Sequence, residues 1–459
     1  MNTIIVISVL PIVLLYLGLY KMQKALLPVT VVGLLAALGL AIKQWNYNAV
    51  PEYHGMILFN NYSIAFSSIA IISTILILLL SKGYFEKISG HVAEYYAIIL
   101  FSLTGIIVMV SYYNLTMLFI GIEIMSVSLY ILAGIKKNDF ASNEAALKYF
   151  LMGAFSTGFL LFGITLIYGS TGSFGIEGIQ NFILAHPIGA DPLLYTGVIL
   201  IIIGLSFKVG VAPFHFWTPD VYEGSPTLIT AFMSTVSKTA SFAAFLRLFS
   251  ACFPVFYSFW TPIFIAIVII TLFVGNITAL YQQSFKRMLA YSSISHAGYL
   301  LFAILALGAS SANSIFVYAT AYSIASIIAF GALILVQQET GSDNFDSFNG
   351  LAKNNPFLAL VLTIAMLSLA GIPLTAGFIG KFFIFNTVLG QSHIWIAAIA
   401  VLNAIISIFY YFRVIVAMYF RSAERVQITV PSYYIFVFGL AALATLVIGV
   451  YPQFITGLI

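Results

Sequence analysis

The sequence is poor in charge: 18 lysines and arginines and 14 aspartates and glutamates make up only 7% of its 459 residues. Soluble domains carry about 25% charged residues, so this chain has too little charge to cover the surface of a soluble fold. It also has a single cysteine, Cys252, which excludes an internal disulfide and a cluster held by several cysteines. The net charge of +4 is small and gives no basic face for nucleic acid.

The sequence instead contains long apolar stretches. Hydrophobic residues make up 62% of the chain, and its mean hydropathy is +1.08. A helix needs about 20 apolar residues to cross the hydrocarbon core of a bilayer. The hydropathy pattern therefore predicts an all-α polytopic membrane protein with about fourteen transmembrane helices. They are predicted at 3–20, 26–42, 57–81, 95–111, 114–135, 143–168, 193–223, 226–250, 258–281, 286–307, 313–337, 355–389, 393–420 and 431–456.

The positive charges predict how these spans are oriented. With the N-terminus outside, the loops on the inner side hold Lys21, Lys24, Lys82, Lys87, Lys136, Lys137, Lys286, Arg287, Lys353, Arg421 and Arg425. The outer loops hold only Lys43, and Arg247 and Arg413 lie near span ends. Because cytoplasmic loops are enriched in lysine and arginine, we expect an even number of spans with both termini outside. No signal or transit peptide is visible, which favours a bacterial cytoplasmic membrane.

Five ionisable residues fall inside predicted spans: Lys148, Lys208, Lys238, Lys381 and Glu123. A charge at bilayer depth costs about 3 kcal/mol on insertion scales and normally faces the protein interior or water. Any one of them can belong to a structural ion pair. Burial favours the neutral form of such a group, and a nearby opposite charge favours its charged form. A buried group can therefore gain or lose a proton when the charge of a neighbour changes. A set of such groups spread over five spans favours a role in proton transfer.

Lys148 and three further residues are secondary relay candidates, whereas Glu123, Lys208, Lys238 and Lys381 are the primary ones. Glu144 precedes Lys148 by four residues and shares a helix face with it, which is equally consistent with a local salt bridge. His215 lies beside a broken helix, and His296 lies in the polar stretch AYSSISHAGYLL. A neutral imidazole can accept and donate a proton, although it can also simply bond across helices.

The remaining histidines are predicted to be solvated, and the sequence does not predict a metal site. His54, His91, His186 and His393 fall in predicted loops or at span ends, where a solvated role is the simpler interpretation. The histidines inside the spans lack the spacing of metal ligands. No phosphate loop, nucleotide fingerprint or redox-centre ligand set is visible in the sequence.

Two long segments contain internal breaks that resemble each other. One break runs from Gly210 to Pro213 and the other from Gly371 to Pro373, and the two prolines lie 160 residues, about five spans, apart. An odd number of spans inverts the second copy relative to the first. This is the pattern of transporters built from inverted repeats with discontinuous helices. Unwound backbone at bilayer depth requires a polar or wet environment, and a lysine lies near each break.

Three stretches closely resemble subunit N of the proton-pumping NADH:quinone oxidoreductases, the antiporter-like family of respiratory complex I. They are residues 200–249, which include the motif WTPDVY, residues 286–301 and residues 366–382. The resemblance runs from about residue 95 to residue 421. It implies a three-helix extension at 1–94, five-helix inverted repeats at 95–257 and 258–421, and a C-terminal helix at 422–459.

The resemblance also implies roles for the buried charges. Glu123 is expected to pair with Lys208, Lys238 to lie centrally, and Lys381 to stand on the second broken helix. These groups would form a proton relay along the middle of the membrane, with His215 and His296 as connecting groups. One sister subunit of the family has a glutamate on the second broken helix, so Lys381 at this position disfavours assignment to that subunit. The absence of a lateral helix after the last span disfavours the most distal subunit.

The expected function is proton translocation coupled to electron transfer from NADH to quinone. NAD, FMN, iron–sulfur clusters and quinone are expected in other subunits, so this chain would perform no redox chemistry itself. The expected partners are an antiporter-like neighbour, the small quinone-side subunits and the lipid bilayer, with no nucleic acid. A cation/proton antiporter subunit, a photosynthetic ferredoxin–plastoquinone version of the complex and a passive structural spacer remain alternatives.

Overall fold

The computed structural model describes residues 2–47, 49–186, 191–308, 310–389, 394–422 and 428–459. His393 and Arg425 lie outside the described residues. The described first half contains α1 (Asn2–Leu19), α2 (Gln23–Lys43), α3 (Asn61–Leu80), α4 (Val92–Ser111), α5 (Leu115–Ala133), α6 (Phe140–Thr171), α7 (Ile176–Ala185), α8 (Pro192–Val209), α9 (Trp217–Gly224), α10 (Thr227–Phe232) and α11 (Lys238–Ala251). The second half contains α12 (Tyr257–Leu280), α13 (Phe285–Ala306), α14 (Ser311–Thr340), α15 (Leu351–Asn354), α16 (Pro356–Ala370), α17 (Ala376–Leu389), α18 (Ile394–Phe420) and α19 (Ser432–Val450).

The helices confirm the predicted membrane fold. Among the described residues, 13 helices are long and apolar enough to span a bilayer, and the apolar pair α16 and α17 forms one further, interrupted span. The helix α10 continues into α11 through a π-helical turn at Met233–Ser237. Four short 3₁₀ turns lie between or after the long helices, at Phe85–Lys87, Pro254–Phe256, Phe345–Phe348 and Pro452–Phe454. These elements together give the all-helical architecture that the hydropathy pattern predicts.

The two breaks predicted from glycine and proline are present and have the same local geometry. Gly210 ends α8 and Gly371 ends α16, both with left-handed backbone (φ 69° and φ 83°). In this conformation glycine closes the last helical turn without a Cβ clash. The backbone N–H of Val211 donates to Ser206 O at 3.1 Å, and that of Ile372 donates to Leu367 O at 3.0 Å. Each helix therefore stops inside its span and leaves carbonyl groups directed at the interior.

Two interhelical turns, α4 to α5 and α12 to α13, are built in the same way. Asn114 caps α5 and forms a β-bridge with Gly175, whereas Ser284 caps α13 and forms a β-bridge with Asn344. Both bridges follow a long helix that ends in a left-handed glycine, α6 at Gly172 and α14 at Gly341. The paired features are about 170 residues apart, with five spans between the two turns. They therefore belong to opposite faces of the membrane.

Burial places the centre of the molecule around α10 and α11. Every residue in the apolar window of Thr227–Ala251 is buried, compared with about a third in α1 and fewer in α2. α14 packs against α13, α16, α17 and α19 and is also deeply buried. The lysine that begins α11, Lys238, therefore lies on the most fully buried span and is 2% exposed.

Candidate functional site

Lys208 lies in the last turn of α8, beside the first break. Its side chain is buried, with 9% exposed. The ammonium Nζ donates to Ser126 Oγ at 2.9 Å and to Tyr130 OH at 3.4 Å, both on α5. Glu123 lies three and seven residues before these two hydroxyls and therefore on the same face of α5. The expected direct ion pair between Glu123 and Lys208 is not found among the described residues.

The carboxylate of Glu123 is partly exposed, and its Oε1 is buried without a hydrogen-bond partner among the described residues. Buried polar atoms nearly always have a partner. Glu123 therefore has capacity to accept a proton or a further hydrogen bond. The Ser126 and Tyr130 hydroxyls that bind Lys208 lie on the same face of α5 as Glu123, and hydroxyls can both donate and accept hydrogen bonds.

The first break gathers other polar atoms that lack partners. Ser206 Oγ, Thr218 Oγ1 and His215 Nδ1 are buried and have no hydrogen-bond partner among the described residues. Trp217 closes one side of this break, because its indole donates to Phe207 O at 3.0 Å. Hydroxyl and imidazole groups at an interrupted helix form an environment that water can satisfy. His215, predicted as a connecting group, lies in this polar break, and its ring packs at a tilted angle against that of Phe216.

Lys238 follows the π-helical turn at the start of α11 and is 2% exposed. Its ammonium donates to Ser293 O at 2.9 Å and to Ser293 Oγ at 2.5 Å. Ser293 lies on α13, so this contact joins the last helix of the first half to the second half of the chain. The π turn widens the helix by one residue just before Lys238, a feature that often marks functional sites.

Lys381 lies on α17 and reaches back across the second break. Its ammonium donates to Leu369 O at 3.2 Å and to Ala370 O at 2.8 Å, which are carbonyls in the last turn of α16. It also faces the ring of Tyr299 at 5.2 Å. The C-terminal end of a helix carries partial negative charge, and an aromatic face attracts a cation. The break itself therefore provides the binding environment for this buried ammonium.

His296 lies one turn beyond Ser293 on α13 and is bonded at both ring nitrogens. Nδ1 lies 2.6 Å from Tyr318 OH, and Nε2 lies 3.0 Å from Tyr411 OH. Tyr411 in turn contacts the Ser292 hydroxyl. An imidazole between two hydroxyls can receive a proton on one nitrogen and release one from the other. The predicted role of His296 as a connecting group stays a prediction, and both of its ring nitrogens have a hydroxyl partner.

A small cavity lies between His296 and Lys381. Its volume is about 10 Å³, and its lining includes both residues together with Tyr318, Tyr322 and Ser368. This volume is about the smallest that holds one water molecule. Ser293 and His296, one turn apart on α13, thus lie between Lys238 on α11 and Lys381 on α17.

Lys148 does not belong to this buried set, so its prediction as a buried membrane charge is wrong. Its side chain is 39% exposed, and Nζ lies 2.8 Å from Glu144 and 2.7 Å from Asp220. The local salt bridge that the spacing with Glu144 allowed is therefore present. Arg287 extends the cluster by pairing with Asp220 at 3.1 Å and with Glu223. The cluster connects α6, α9 and α13 at their exposed ends.

Lys286 and Arg247 are less exposed than their predicted positions in loops or at span ends suggest. Lys286 is 4% exposed in the first turn of α13 and donates to Glu223 O at 2.9 Å and Ser225 O at 2.5 Å. Arg247 is 8% exposed near the end of α11. Sequence reasoning also missed Tyr318 and Tyr411, because aromatic residues in spans are usually packing residues. Their signal was a tyrosine hydroxyl at bilayer depth, which needs a polar partner.

The donor groups do not fit a redox centre or a structural metal within the described part of the chain. No group of three or more His, Cys, Asp and Glu side chains converges there. Cys252 is a free, buried thiol, whereas iron–sulfur clusters are held mainly by sets of cysteine thiolates. The described residues support proton chemistry by lysine, histidine and hydroxyl groups.

A family model matches more than half of the chain, and relatives match nearly all of it. The model described as NADH:quinone oxidoreductase/Mrp antiporter, TM, matches residues 112–407. A relative named NADH-quinone oxidoreductase subunit N from Cytophaga hutchinsonii is 43% identical, with 99% of this chain and 98% of the relative covered. One of the same name from Flavobacterium psychrophilum is 40% identical, with both chains fully covered.

Solved structures share the fold. A chain of respiratory complex I from Thermus thermophilus with bound aureothin superposes with a TM-score of 0.83 at 30% identity, covering 98% of this chain and 97% of its own length. A chain of the Mrp complex from Dietzia sp. DQ12-45-1b superposes with a TM-score of 0.87 at 18% identity, covering 98% and 94%. The second likeness shows the fold alone.

Proposed function

This chain belongs to the NADH:quinone oxidoreductase/Mrp antiporter family of membrane subunits, and we propose that it works as subunit N of a NADH:quinone oxidoreductase. In this role it is a translocase subunit, which moves protons while other subunits transfer electrons from NADH to quinone. One observation carries the proposal. Lys208, Lys238 and Lys381 are buried, and none has a carboxylate within salt-bridge distance among the described residues.

The absence of such carboxylates argues against a passive spacer. Buried charges that only hold helices together are expected to be paired, because an unpaired buried charge is strongly destabilising. These three lysines bond instead to hydroxyl and carbonyl oxygens. Such oxygens accept hydrogen bonds from an ammonium and equally from a neutral amine. The lysines can therefore exchange protons without losing all their partners.

We propose a relay that joins these groups in their order along the molecule. Glu123 communicates with Lys208 through the Ser126 and Tyr130 hydroxyls, and Lys238 passes protons through Ser293 towards His296. From there the small cavity leads to Lys381. His215 contributes at the first break. The exposed Glu144 and Lys148 serve as a secondary, surface-facing pair.

Coupling between neighbouring relay groups is electrostatic. Two unit charges about 10 Å apart at an effective dielectric of about 20 interact by about 1.7 kcal/mol, which changes proton occupancy roughly tenfold. A change of charge near Glu123 therefore biases the occupancy of the next lysine. This is too little to pump protons without gated access, so changes at the broken helices must contribute as well.

The assembly follows from the same proposal. NAD, FMN, iron–sulfur clusters and quinone would reside in other subunits of the complex, with an antiporter-like neighbour and small quinone-side subunits as membrane-arm partners. We propose a bacterial cytoplasmic membrane with both termini outside. We further propose an N-terminal extension at 1–94, inverted repeats at 95–257 and 258–421, and a C-terminal helix at 422–459, of which 423–427 lie outside the described residues.

Two alternatives use the same lysines with another input. An Mrp-type cation/proton antiporter has the same fold, but five relatives that are 38–43% identical and cover 98–100% of the chain bear the subunit N name. A ferredoxin–plastoquinone version of the complex would differ in its electron-input module. Purification in mild detergent separates these cases. Flavin and iron–sulfur subunits that oxidise NADH should copurify with this chain.

The relay itself is tested by Lys208→Ala in the intact complex reconstituted in liposomes. We expect a lower ratio of protons translocated to NADH oxidised, because the variant removes the ammonium between Glu123 and the rest of the relay. Lys43→Ala, at the exposed end of α2, is the matched control and should leave the ratio unchanged. An unchanged ratio in Lys208→Ala would rule out the relay role of this lysine.

A further inference from the structure

Two arginines donate hydrogen bonds to the two repeat-related turns, α4–α5 and α12–α13. Arg247 Nη1 donates to Tyr112 O at 3.0 Å, in the turn from α4 to α5. Arg413 Nη1 donates to Gln282 O at 2.8 Å, in the turn from α12 to α13. In both cases the accepting carbonyl lies two residues before the residue that caps the next helix.

Each arginine uses its second nitrogen as well. Arg247 Nη2 donates to Asn60 Oδ1 at 2.9 Å and to Ser63 Oγ at 2.8 Å, at the start of α3. Its guanidinium also faces the ring of Tyr62 at 5.0 Å. Arg247 thus joins α11, the α4–α5 turn and α3 at one point.

The second arginine repeats this arrangement at the opposite membrane face. Arg413 Nη2 donates to Gln283 Oε1 at 2.6 Å, and its guanidinium lies 4.1 Å from the centre of the Phe345 ring. Among the described residues, neither this arginine nor Arg247 has a carboxylate partner. A planar guanidinium that binds a backbone carbonyl and a side chain at once fixes orientation, which a lysine ammonium cannot do.

The positions of these arginines connect them to the relay. Arg247 lies nine residues beyond Lys238 on α11, and the turn that it holds leads into α5, which carries Glu123. Arg413 lies two residues beyond Tyr411 on α18, and the turn that it holds leads into α13, which carries His296. Each arginine therefore ties the helix of one relay group to the helix of another.

We propose that Arg247 and Arg413 are repeat-related positioning residues that hold α5 and α13 in the register required for proton transfer. The proposal rests on the proposed function. Neither residue touches the transferred proton. Each acts by fixing the N-terminal end of a helix whose hydroxyl and imidazole groups must stay within hydrogen-bond distance of a lysine or tyrosine on another helix.

The test uses Arg413→Gln and Arg413→Lys in the intact complex in liposomes, with Arg421→Gln as the control. Arg421 is an exposed arginine just after α18 that contacts Asp346 at 3.4 Å. We expect Arg413→Gln to assemble and to oxidise NADH with an artificial acceptor at the normal rate. Its rate of proton translocation should fall at least about tenfold, because a displacement of about 1 Å at a catalytic group costs about 100-fold.

The pH profile separates positioning from simple loss of stability. If α13 shifts, the surroundings of His296 change, and the pH of half-maximal pumping should move in Arg413→Gln. Arg413→Lys keeps the charge but loses the planar fork, so we expect it to assemble as well and to show the same shifted pH profile as Arg413→Gln. Arg247→Gln should behave in the same way, whereas Arg421→Gln should match the parent.

Normal pumping and a normal pH profile in both Arg413 variants would overturn the proposal. If Arg413→Gln fails to assemble, Arg413→Lys decides the question by the same two measurements. Full recovery in Arg413→Lys would show that charge alone matters and would also overturn it. Failure of the proposed function is recognised separately, because it would leave Lys208→Ala with normal pumping.

Discussion

Replacement of Lys238 by methionine is the sharpest test of the central relay group. Lys238 is 2% exposed, and its ammonium donates to the carbonyl and hydroxyl oxygens of Ser293. Methionine has a similar length and no titratable group. The substitution therefore removes the proton-carrying atom with little change in side-chain volume, so its effect on transport is not confused with a cavity.

The contacts of Lys238 set the expected size of the effects of Lys238→Met on stability and on proton flux. Loss of the two hydrogen bonds at Ser293 costs about 1–3 kcal/mol, but removing a buried ammonium relieves a desolvation penalty of several kcal/mol. These terms oppose each other, so the variant should fold and assemble. A positioned acid–base group contributes about 10²–10⁴-fold to a proton-transfer step. Proton flux through this chain should therefore fall at least about 100-fold.

The assay compares proton uptake with NADH oxidation in liposomes that contain the intact complex. We expect Lys238→Met to lower the ratio of protons to electrons, while NADH oxidation with an artificial acceptor is unchanged. Lys353→Met, in the short helix α15, provides a control on a lysine that is not buried. A normal ratio in Lys238→Met would refute the view that this lysine handles protons and would favour a structural role.

Two further substitutions test the second break and one helix cap. Gly371→Ala should lower both stability and pumping, because alanine is strained at φ 83° and its Cβ would meet Lys381 Cδ at 2.8 Å. The control is Gly341→Ala, where φ is 70° and the new Cβ would lie in open space. This control should lower thermal stability by a similar amount and leave pumping unchanged. The Ser170 hydroxyl donates to the carboxyl of Asp191, the cap of α8, and holds the pKa of that carboxyl below its usual value. The ionised carboxyl therefore stabilises the fold above about pH 4, and this stabilisation is lost as the pH falls through the lowered pKa. Ser170→Ala should raise that pKa towards its usual value, so the variant should be less stable at pH 6 and should lose less stability between pH 6 and pH 3; equal acid losses in melting curves would contradict this.

The sequence was sufficient to predict features that depend on neighbouring residues. Hydropathy placed the spans, and glycine and proline placed the breaks at Gly210 and Gly371, because both signals are local. The burial of Lys208, Lys238 and Lys381 followed from charges inside apolar runs. A lysine in the middle of a span has no nearby headgroup to reach, so its burial is confirmed without knowledge of its partners.

The partners themselves could not be predicted, because they come from distant parts of the chain. Ser126 lies 82 residues from Lys208, and Ser293 lies 55 residues from Lys238. The same limit explains the error at Lys148. Asp220, 72 residues away on α9, meets Lys148 at an exposed end of the bundle, and no hydropathy window of α6 contains that information.

The chemistry of these partners explains why buried lysines suit a relay. A carboxylate held against Lys238 would stabilise the ammonium form alone and oppose release of its proton. The oxygens of Ser293 and the carbonyls that surround Lys381 carry only partial charge, and they remain hydrogen-bond acceptors when the lysine is neutral. The energy difference between the two protonation states then depends on the charge of neighbouring relay groups rather than on a fixed partner. That dependence allows a charge change at one end of the series to move a proton at the other.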